Sequence, residues 1–428
     1  MQNRRLGVCA SSIAIVLLVS FTLSARAWGS ETVVFDFSGS DGSQPYGGLI
    51  SDSKGNLYGT TYTGGAYEGG TVFELVYQGG TKYSEKVLYS FTGGGDGGFP
   101  TASLVLDSSL NLYGTTELGG TGSCSGGCGV VFELSRSSGY KTETVLHSFL
   151  GSDGESPVAS LIFDSSSNLY GTTLEGGAYG AGAVFELVFE GRASYSEKVL
   201  YSFTGGKDGG YPNASLVFDK SFNLYSITRL GGSASGNCEG SGSGCGVVFE
   251  LSKSSGYKSE SVLYSFTGES DGGEPFAFVT LDKLLNLYGT TYMGGNASCS
   301  GGCGVVFELS RSSGYKSETV LHRFTGRDGA QPTAGLAFDS QDAHLYGTTF
   351  GGGTSGLGTV FRIQKSGSGF TSLHSFRGGN DGAYPYAGLG LGFAFVGKCT
   401  GRCGPGTTIN GDKLNDGTVI VVYFGATE

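Results

Sequence analysis

The sequence has little proline, few basic residues and no long hydrophobic run after its first 27 residues, and each shortage excludes a class of protein. Only 8 of the 428 residues are proline, beside 81 glycines. Because the glycines recur periodically, they do not indicate a disordered Gly/Pro-rich chain. The 26 Lys and Arg residues face 37 Asp and Glu, which argues against nucleic acid or an anionic membrane as a partner. No later apolar run is long enough to span a bilayer.

Residues 1–27 have the three parts of a secretory signal peptide. Arg4 and Arg5 give a positive start, residues 13–23 form a short apolar run, and Ala-Arg-Ala at 25–27 is a small-x-small cleavage site. The sequence therefore predicts an exported protein that is secreted, periplasmic or at the cell surface, with one mature domain over 28–428. The signal segment holds three arginines and no acid, so the mature chain has a net charge of −14.

The cysteines also favour export. Cys9 lies in the signal segment, and an even number of cysteines remains, which in an exported chain predicts disulfides. Zinc is less well supported, because each pair lies in a different repeat, no histidine accompanies it, and two thiolates do not complete a tetrahedral site. We therefore expect no metal, no cofactor and four short disulfide loops: Cys124–Cys128, Cys238–Cys245, Cys299–Cys303 and Cys399–Cys403.

One unit is repeated along almost the whole chain. "NLYGTT" or a close variant starts at 56, 111, 168, 223, 286 and 344, and a proline recurs at 45, 100, 157, 212, 275, 332 and 385. Each unit contains four short runs of strand-forming residues; in the second unit these are 102–107, 111–118, 129–135 and 143–149. Four antiparallel strands per repeat of 53–63 residues are typical of a β-propeller blade.

The two ends of the chain predict how the propeller closes. The segment 32–37 resembles the fourth strand of a unit, and 417–424 resembles the third. We therefore predict an all-β, seven-bladed propeller of four-stranded blades, a monomer whose N-terminal strand completes the last blade and removes both exposed edges. The alternative is an open solenoid, which would need polar caps that neither end resembles.

These motifs also carry a family resemblance. "GNLYGTTYTGGAYEGGTVFEL" at 55–75, followed by "EKVLYSFTGGGDGGFPTASL" at 85–104, resembles the GloVer (Gloeobacter/Verrucomicrobia) tandem repeat of exported "choice-of-anchor" proteins. The resemblance covers nearly the whole mature chain. It implies an exported bacterial repeat protein with no established activity.

A glycine-rich loop at 90–100 has the G-x-G-x-x-G spacing of a dinucleotide site, but a strand-like segment follows it where such a site needs a helix. What recurs in all seven units is Asp-Gly, and we weigh two interpretations of its aspartate. The carboxylates could form a ring that binds cations or sugar hydroxyls. The favoured interpretation is that each carboxylate accepts backbone N–H bonds within its own turn, and that glycine supplies a positive φ. The residues are Asp41, Asp96, Asp153, Asp208, Asp271, Asp328 and Asp381.

Further candidate ligand-binding residues lie beside these turns. Tyr46, Tyr211 and Tyr384 could stack on sugar rings, or else pack between adjacent blades, which we favour. Arg229 stands at a variable position of the irregular fourth unit. His147, His322 and His374 share a repeat position that Tyr and Phe fill elsewhere, so we expect them, like His344, to be structural.

No residue is flanked by a recognisable catalytic motif. The leading hypothesis is therefore an exported binding or scaffold module that is not an enzyme. Its partner would be an extracellular glycan or another surface protein. The alternative is an extracellular carbohydrate-active enzyme, such as a polysaccharide lyase or hydrolase, on the propeller scaffold.

Overall fold

A computed structural model describes residues 35–79, 82–232, 238, 244–295, 298–339, 341–378, 381–388, 390–393 and 418–420. Blade 1 holds β1 (Ile50–Ser51), β2 (Leu57–Thr61), β3 (Thr71–Tyr77) and β4 (Tyr83–Ser90). Blade 2 holds β5 (Val105–Leu106), β6 (Leu112–Thr116), β7 (Val130–Leu134) and β8 (Glu143–Ser148). Blade 3 holds β9 (Ile162–Phe163), β10 (Leu169–Thr173), β11 (Ala183–Gly191) and β12 (Ser194–Ser202).

The next three units repeat this order. Blade 4 holds β13 (Val217–Phe218), β14 (Leu224–Thr228), β15 (Val247–Leu251) and β16 (Glu260–Ser265). Blade 5 holds β17 (Thr280–Leu281), β18 (Leu287–Thr291), β19 (Val305–Leu309) and β20 (Glu318–Arg323). Blade 6 holds β21 (Ala337–Phe338), β22 (His344–Thr349), β23 (Thr359–Gln364) and β24 (Thr371–Ser375). Short 3-10 turns at Arg136–Ser138, Lys253–Ser255 and Arg311–Ser313 follow β7, β15 and β19.

Each blade is a four-stranded antiparallel sheet in sequence order, as the repeat predicts. The strands form because β-branched and aromatic residues dominate these runs. The pairing between the third and fourth strands shifts at the same place in each blade; in blade 2 this is between Val131 and Phe132. The prediction of four-stranded propeller blades is therefore confirmed.

The predicted number of blades is corrected. The described residues form six complete blades, not seven, and the seventh unit contributes a two-stranded sheet of β25 (Gly390–Phe393) and β26 (Thr418–Ile420). The sequence of this unit lacks "NLYGTT", the motif that contains the second strand of each complete blade. The expected pairing of 32–37 with 417–424 lies mostly outside the described residues; residues 35–37 are not in a strand, and β26 pairs with β25.

Phenylalanine pairs hold adjacent blades together. A ring that follows each fourth strand meets, edge to face, a ring on the third strand of the next blade. The pairs are Phe37–Phe73, Phe91–Phe132, Phe149–Phe185, Phe203–Phe249, Phe266–Phe307 and Phe324–Phe361, with ring centroids 4.9 to 5.2 Å apart. These rings are almost completely buried. Such pairs contribute about 0.5–1.5 kcal/mol each beyond the area they bury.

The hairpin between the first two strands of each blade is held by the predicted Asp and Asn. In blade 2, Asp107 accepts hydrogen bonds from the backbone N–H of Ser109 and of Asn111, each at 2.8 Å. The Asn111 amide also donates to Asp107, at 2.9 Å. His344 takes the place of Asn in blade 6, and its Nδ1 lies 2.7 Å from Asp339. His344 thus contacts the turn aspartate as Asn does in the other blades.

Disulfides close three of the four predicted loops: Cys124–Cys128, Cys238–Cys245 and Cys299–Cys303. They indicate an extracellular or periplasmic environment. The predicted pair Cys399–Cys403 and the predicted signal peptide lie outside the described residues. Within the described part of the chain, no helix is long and apolar enough to cross a membrane.

Candidate ligand-binding face

All seven repeated aspartates bond to the backbone of their own turn. Asp96 accepts from the N–H of Thr92 at 2.9 Å, and Asp208 from the N–H of Thr204 at 2.8 Å. The other five make the same contact at 2.7 to 2.9 Å: Asp41, Asp153, Asp271, Asp328 and Asp381. The turn interpretation predicts these bonds.

The glycine after each aspartate has the predicted positive φ, between 70° and 150°. These residues are Gly42, Gly97, Gly154, Gly209, Gly272, Gly329 and Gly382. A Cβ atom on Gly97 would lie 2.3 Å from the hydroxyl oxygen of Thr116. Glycine is therefore required both for its backbone conformation and for the close approach of the next blade.

A second partner of the aspartates was not expected from the sequence. In blades 1, 3 and 4 a tyrosine hydroxyl of the preceding fourth strand donates to the carboxylate, as Tyr89 does to Asp96 at 3.0 Å. His147 and His322 make the same contact through Nε2, each at 3.0 Å. The sequence predicts a packing role for this position, because Phe35 also fills it. The available signal was that its other occupants, Tyr and His, can all donate a hydrogen bond.

The residue before each repeated proline adopts a positive φ, which nothing in its identity suggests. These residues are Gln44, Phe99, Ser156, Tyr211, Glu274, Gln331 and Tyr384, with φ between 47° and 60°. Two backbone bonds hold this conformation: the N–H of Glu274 donates to Cys245 of the preceding blade at 2.8 Å, and its carbonyl accepts from Tyr292 at 3.1 Å. Repeated strain of this kind is typical of functional loops.

Variable positions that recur from unit to unit bring side chains of different blades together, and we call the surface that they form the axial mouth. They are the residues immediately before and after the repeated proline and the residue after the "NLYGTT" strand. Nine members are aromatic: Tyr46, Tyr62, Phe99, Tyr211, Phe276, Tyr292, Phe350, Tyr384 and Tyr386. Several of these rings contact one another. The ring centroids of Tyr46 and Tyr386 are 5.1 Å apart, and those of Tyr62 and Phe99 are 5.3 Å apart.

Tyr386 shows that side chains from distant blades converge at the mouth. Burial raises the pKa of Tyr386, and the nearby Tyr46 and Tyr292 raise it further. Arg229 lowers the same pKa and Glu117 raises it. These four neighbours belong to blades 1, 5, 4 and 2, so the seventh unit and much of the ring meet around this tyrosine. The Tyr386 residue remains 43% exposed.

Arg229 lies at the mouth, as its variable position suggested, but it has a protein partner. Its Nε and Nη2 atoms each lie 3.1 Å from Oε2 of Glu274, whose side chain is buried. The guanidinium also stacks over Phe276, 4.8 Å from the ring centroid. Arg229 therefore presents a flat, charge-compensated surface at the mouth. Ser226, the other irregularity of blade 4, is buried and bonds to the carbonyl of Ser215 at 3.0 Å.

Glu117 of the axial mouth has two glutamate neighbours in blade 3, Glu155 and Glu175, each one residue away in the chain from a mouth position. Burial raises the pKa of Glu117, and Glu175 raises it further, while a hydrogen bond from Tyr62 lowers it. Burial and Glu175 also raise the pKa of Glu155. The mutual effects show that these carboxyl groups lie close together. This side of the mouth therefore disfavours an anionic ligand.

The sequence-predicted candidates are thus only partly brought together. Tyr46, Tyr384 and Arg229 lie at the axial mouth, and Tyr211 joins them through its backbone carbonyl, which accepts from the N–H of Arg229 at 3.2 Å. The ring contacts of Tyr46 with Tyr386 and of Tyr384 with Phe350 join different blades, as the packing interpretation predicted. Tyr384 is nevertheless 50% exposed, so packing and ligand contact are compatible here. Glu117, Glu175 and Tyr386 complete the site and were not singled out from the sequence.

Comparison with known proteins identifies a family but no activity. Among solved structures the chain is similar to a nidogen/laminin complex (12% identity, 78% of this chain and 96% of that chain, TM-score 0.44). It is also similar to a 6-phosphogluconolactonase, described as putative, from Bacteroides uniformis (13%, 76% and 83%, 0.43). A third is an oligogalacturonate lyase in complex with manganese (9%, 79% and 78%, 0.46). At such low similarity none of these activities transfers to this chain.

No curated protein matches the sequence. The profile of the Gloeobacter/Verrucomicrobia repeat, by contrast, matches residues 18–238 and 235–420. Together these matches cover most of the chain and contain all six blades. The protein therefore belongs to the Gloeobacter/Verrucomicrobia repeat family.

Proposed function

We propose that this protein is an exported binding module whose axial mouth binds a glycan built from neutral or amine-bearing sugars. The convergence of aromatic rings around Tyr386 is the observation that carries the proposal. Sugar rings present apolar faces that stack on Tyr and Phe, while their hydroxyls need nearby hydrogen-bonding groups. The mouth offers both, because Tyr386 contacts the ring of Tyr46 and lies near the carboxyl group of Glu117.

Charge narrows the class of glycan. Glu117, Glu155 and Glu175 lie close together on one side of the mouth, and burial raises the pKa of Glu117 and of Glu155. The positive charge of Arg229 is offset by Glu274 at 3.1 Å. A uronate would therefore meet net repulsion, whereas a neutral sugar would not and an amino sugar would be attracted.

A glycan array probed with the oxidised mature chain tests this proposal. We expect binding to neutral or amino sugars and little binding to polyuronates. Tyr386→Ala should weaken that binding roughly three- to tenfold, the range expected for one aromatic contact. Tyr179→Ala is the matched control, because Tyr179 is 67% exposed and lies outside the axial mouth. Preferential binding to polyuronates, or equal losses in the two variants, would contradict the proposal.

An extracellular carbohydrate-active enzyme is the second candidate. The observation that favours it is the cluster of Glu117, Glu155 and Glu175, since carboxyl groups with a raised pKa can act as general acids. A product assay on each glycan bound in the array separates the two candidates. Release of shortened or unsaturated sugars that Glu117→Gln abolishes would make the protein an enzyme.

We also propose that the seventh unit closes the ring after export and removal of residues 1–27. Two contacts support closure. Tyr386 of the seventh unit meets Tyr46 of blade 1 at 5.1 Å, and Phe37 packs on Phe73 as the phenylalanine after each fourth strand packs on the next blade. The N-terminal segment thus takes the place of a fourth strand. The stability of a truncated chain, described below, tests this arrangement.

A further inference from the structure

A group of possible metal ligands lies at the junction of blades 2 and 3. It consists of His147 on β8, Asp153 in the following turn, and Glu197 on β12. One ligand atom from each residue lies within 4.8 Å of the other two. His147 Nε2 and the Oδ2 atom of Asp153 are 3.0 Å apart. The side chains of His147 and Asp153 are 19% and 16% exposed, so a small ion can reach them from solvent.

A further observation shows that the protein alone does not satisfy this group. The Oε1 atom of Glu197 is buried and has no hydrogen-bond partner among the described residues. One imidazole nitrogen and two carboxyl groups therefore lie close together, and these are donor atoms that zinc accepts.

Equivalent positions in other blades differ in a way that makes this junction distinct. Three junctions carry a tyrosine in place of the histidine, with the carboxyl pairs Asp96 and Glu143, Asp208 and Glu260, and Asp271 and Glu318. Where His322 meets Asp328, Phe370 replaces the glutamate and stacks on the imidazole at 3.7 Å. Among the described residues, only the junction of blades 2 and 3 combines a histidine with both carboxyl groups.

We propose that His147 Nε2, Asp153 and Glu197 bind one Zn²⁺ ion at this junction, with solvent completing the coordination. Zinc accepts imidazole nitrogen and carboxylate oxygen at about 2.0–2.2 Å, so its ligand atoms lie roughly 3.4 Å apart. The separations of up to 4.8 Å close to this value with small side-chain rotations. The ion offsets the repulsion between Asp153 and Glu197 and joins the fourth strands of two blades. It thereby replaces the sequence-based expectation that the protein binds no metal.

Titration calorimetry of the chelator-treated, oxidised mature chain without a histidine tag tests the proposal with ZnCl₂ as the probe. We expect one ion per chain and a zinc-dependent rise in melting temperature. His147→Tyr introduces the residue that three other blades carry at this position, so the fold is retained, and it should weaken zinc binding at least about tenfold. Glu197→Gln removes one ligand charge with little change in volume and should do the same.

His322→Tyr is the matched control. His322 contacts Asp328, the equivalent aspartate of its own turn, but it faces Phe370 where His147 faces a carboxylate. This substitution should leave zinc binding unchanged. The proposal is wrong if the wild-type chain shows no stoichiometric binding. It is also wrong if His147→Tyr and Glu197→Gln bind zinc as tightly as the wild type, or if His322→Tyr loses binding equally. Glycan binding is not a readout here, so the result is independent of the proposed function.

Discussion

Replacing the turn aspartate of blade 2 should destabilise the protein, and the structure allows the size of the effect to be worked out. Asp96 accepts hydrogen bonds from the hydroxyl of Tyr89 at 3.0 Å, from the N–H of Thr92 at 2.9 Å, and from the Thr92 hydroxyl. Each such bond contributes a net of about 1 kcal/mol. Asp96→Ala should therefore lower the free energy of unfolding by about 2–3 kcal/mol.

Asp41 provides a matched control within the same chain. Phe35 fills the position of the tyrosine and cannot donate, so the described hydrogen bond of the Asp41 side chain is the one from the N–H of Ser38 at 2.8 Å. Asp41→Ala should therefore cost about 1 kcal/mol. Each aspartate also raises the pKa of one neighbouring glutamate, Glu85 for Asp41 and Glu143 for Asp96. Relief of this repulsion is common to both variants and cancels in their difference.

Urea denaturation of the oxidised mature chain, followed by fluorescence, measures both variants against the wild type. Asp96→Asn should lie between Asp96→Ala and the wild type, because the amide oxygen still accepts the bond from Thr92. The reasoning is refuted if Asp41→Ala destabilises the protein as much as Asp96→Ala does. A ring of ligand-binding carboxylates predicts another pattern: unchanged stability, lost binding, and Asn as harmful as Ala.

Three further predictions concern pH, closure and the cysteines. The folded-state pKa is raised to about 7 for Glu143 and about 8 for Glu318, so the folded protein holds protons that the unfolded chain releases. Stability should therefore be greatest near pH 4.5 and be lost as the pH rises through 7 to 8. A melting temperature that rises over this range would contradict this prediction. Deleting residues 28–38 removes Phe37 from its contact with Phe73 and should lower the melting temperature or cause aggregation; an unchanged value argues against closure. Thiol titration of the unfolded mature chain should detect no free cysteine. Detection of two or more free thiols would contradict the predicted Cys399–Cys403 disulfide.

Repetition explains what could be predicted from the sequence. The four strands per unit and the Asp-Gly turn follow from motifs that recur every 53–63 residues, and the disulfide loops follow from the close pairing of the cysteines. The number of complete blades could not be predicted in this way, because the seventh unit lacks the "NLYGTT" motif that marks each complete blade. Hydrogen bonds from His147 and Tyr89 to their aspartates were missed because the alternation of Tyr, His and Phe resembles simple packing. The meeting of Glu117, Arg229 and Tyr386 depends on ring geometry, which no local pattern encodes.

The left-handed residue before each repeated proline has a consequence for how such proteins can diversify. In five units main-chain partners hold both its N–H and its carbonyl, as for Glu274 between Cys245 and Tyr292; the five residues are Phe99, Ser156, Tyr211, Glu274 and Gln331. The path of the backbone therefore does not depend on the side chain carried there, and Gln, Phe, Ser, Tyr and Glu all occupy this position in one molecule. An antibody changes its paratope partly by changing loop length and conformation. This propeller can exchange side chains one at a time on a fixed display surface, which makes it a suitable scaffold for selecting new binders.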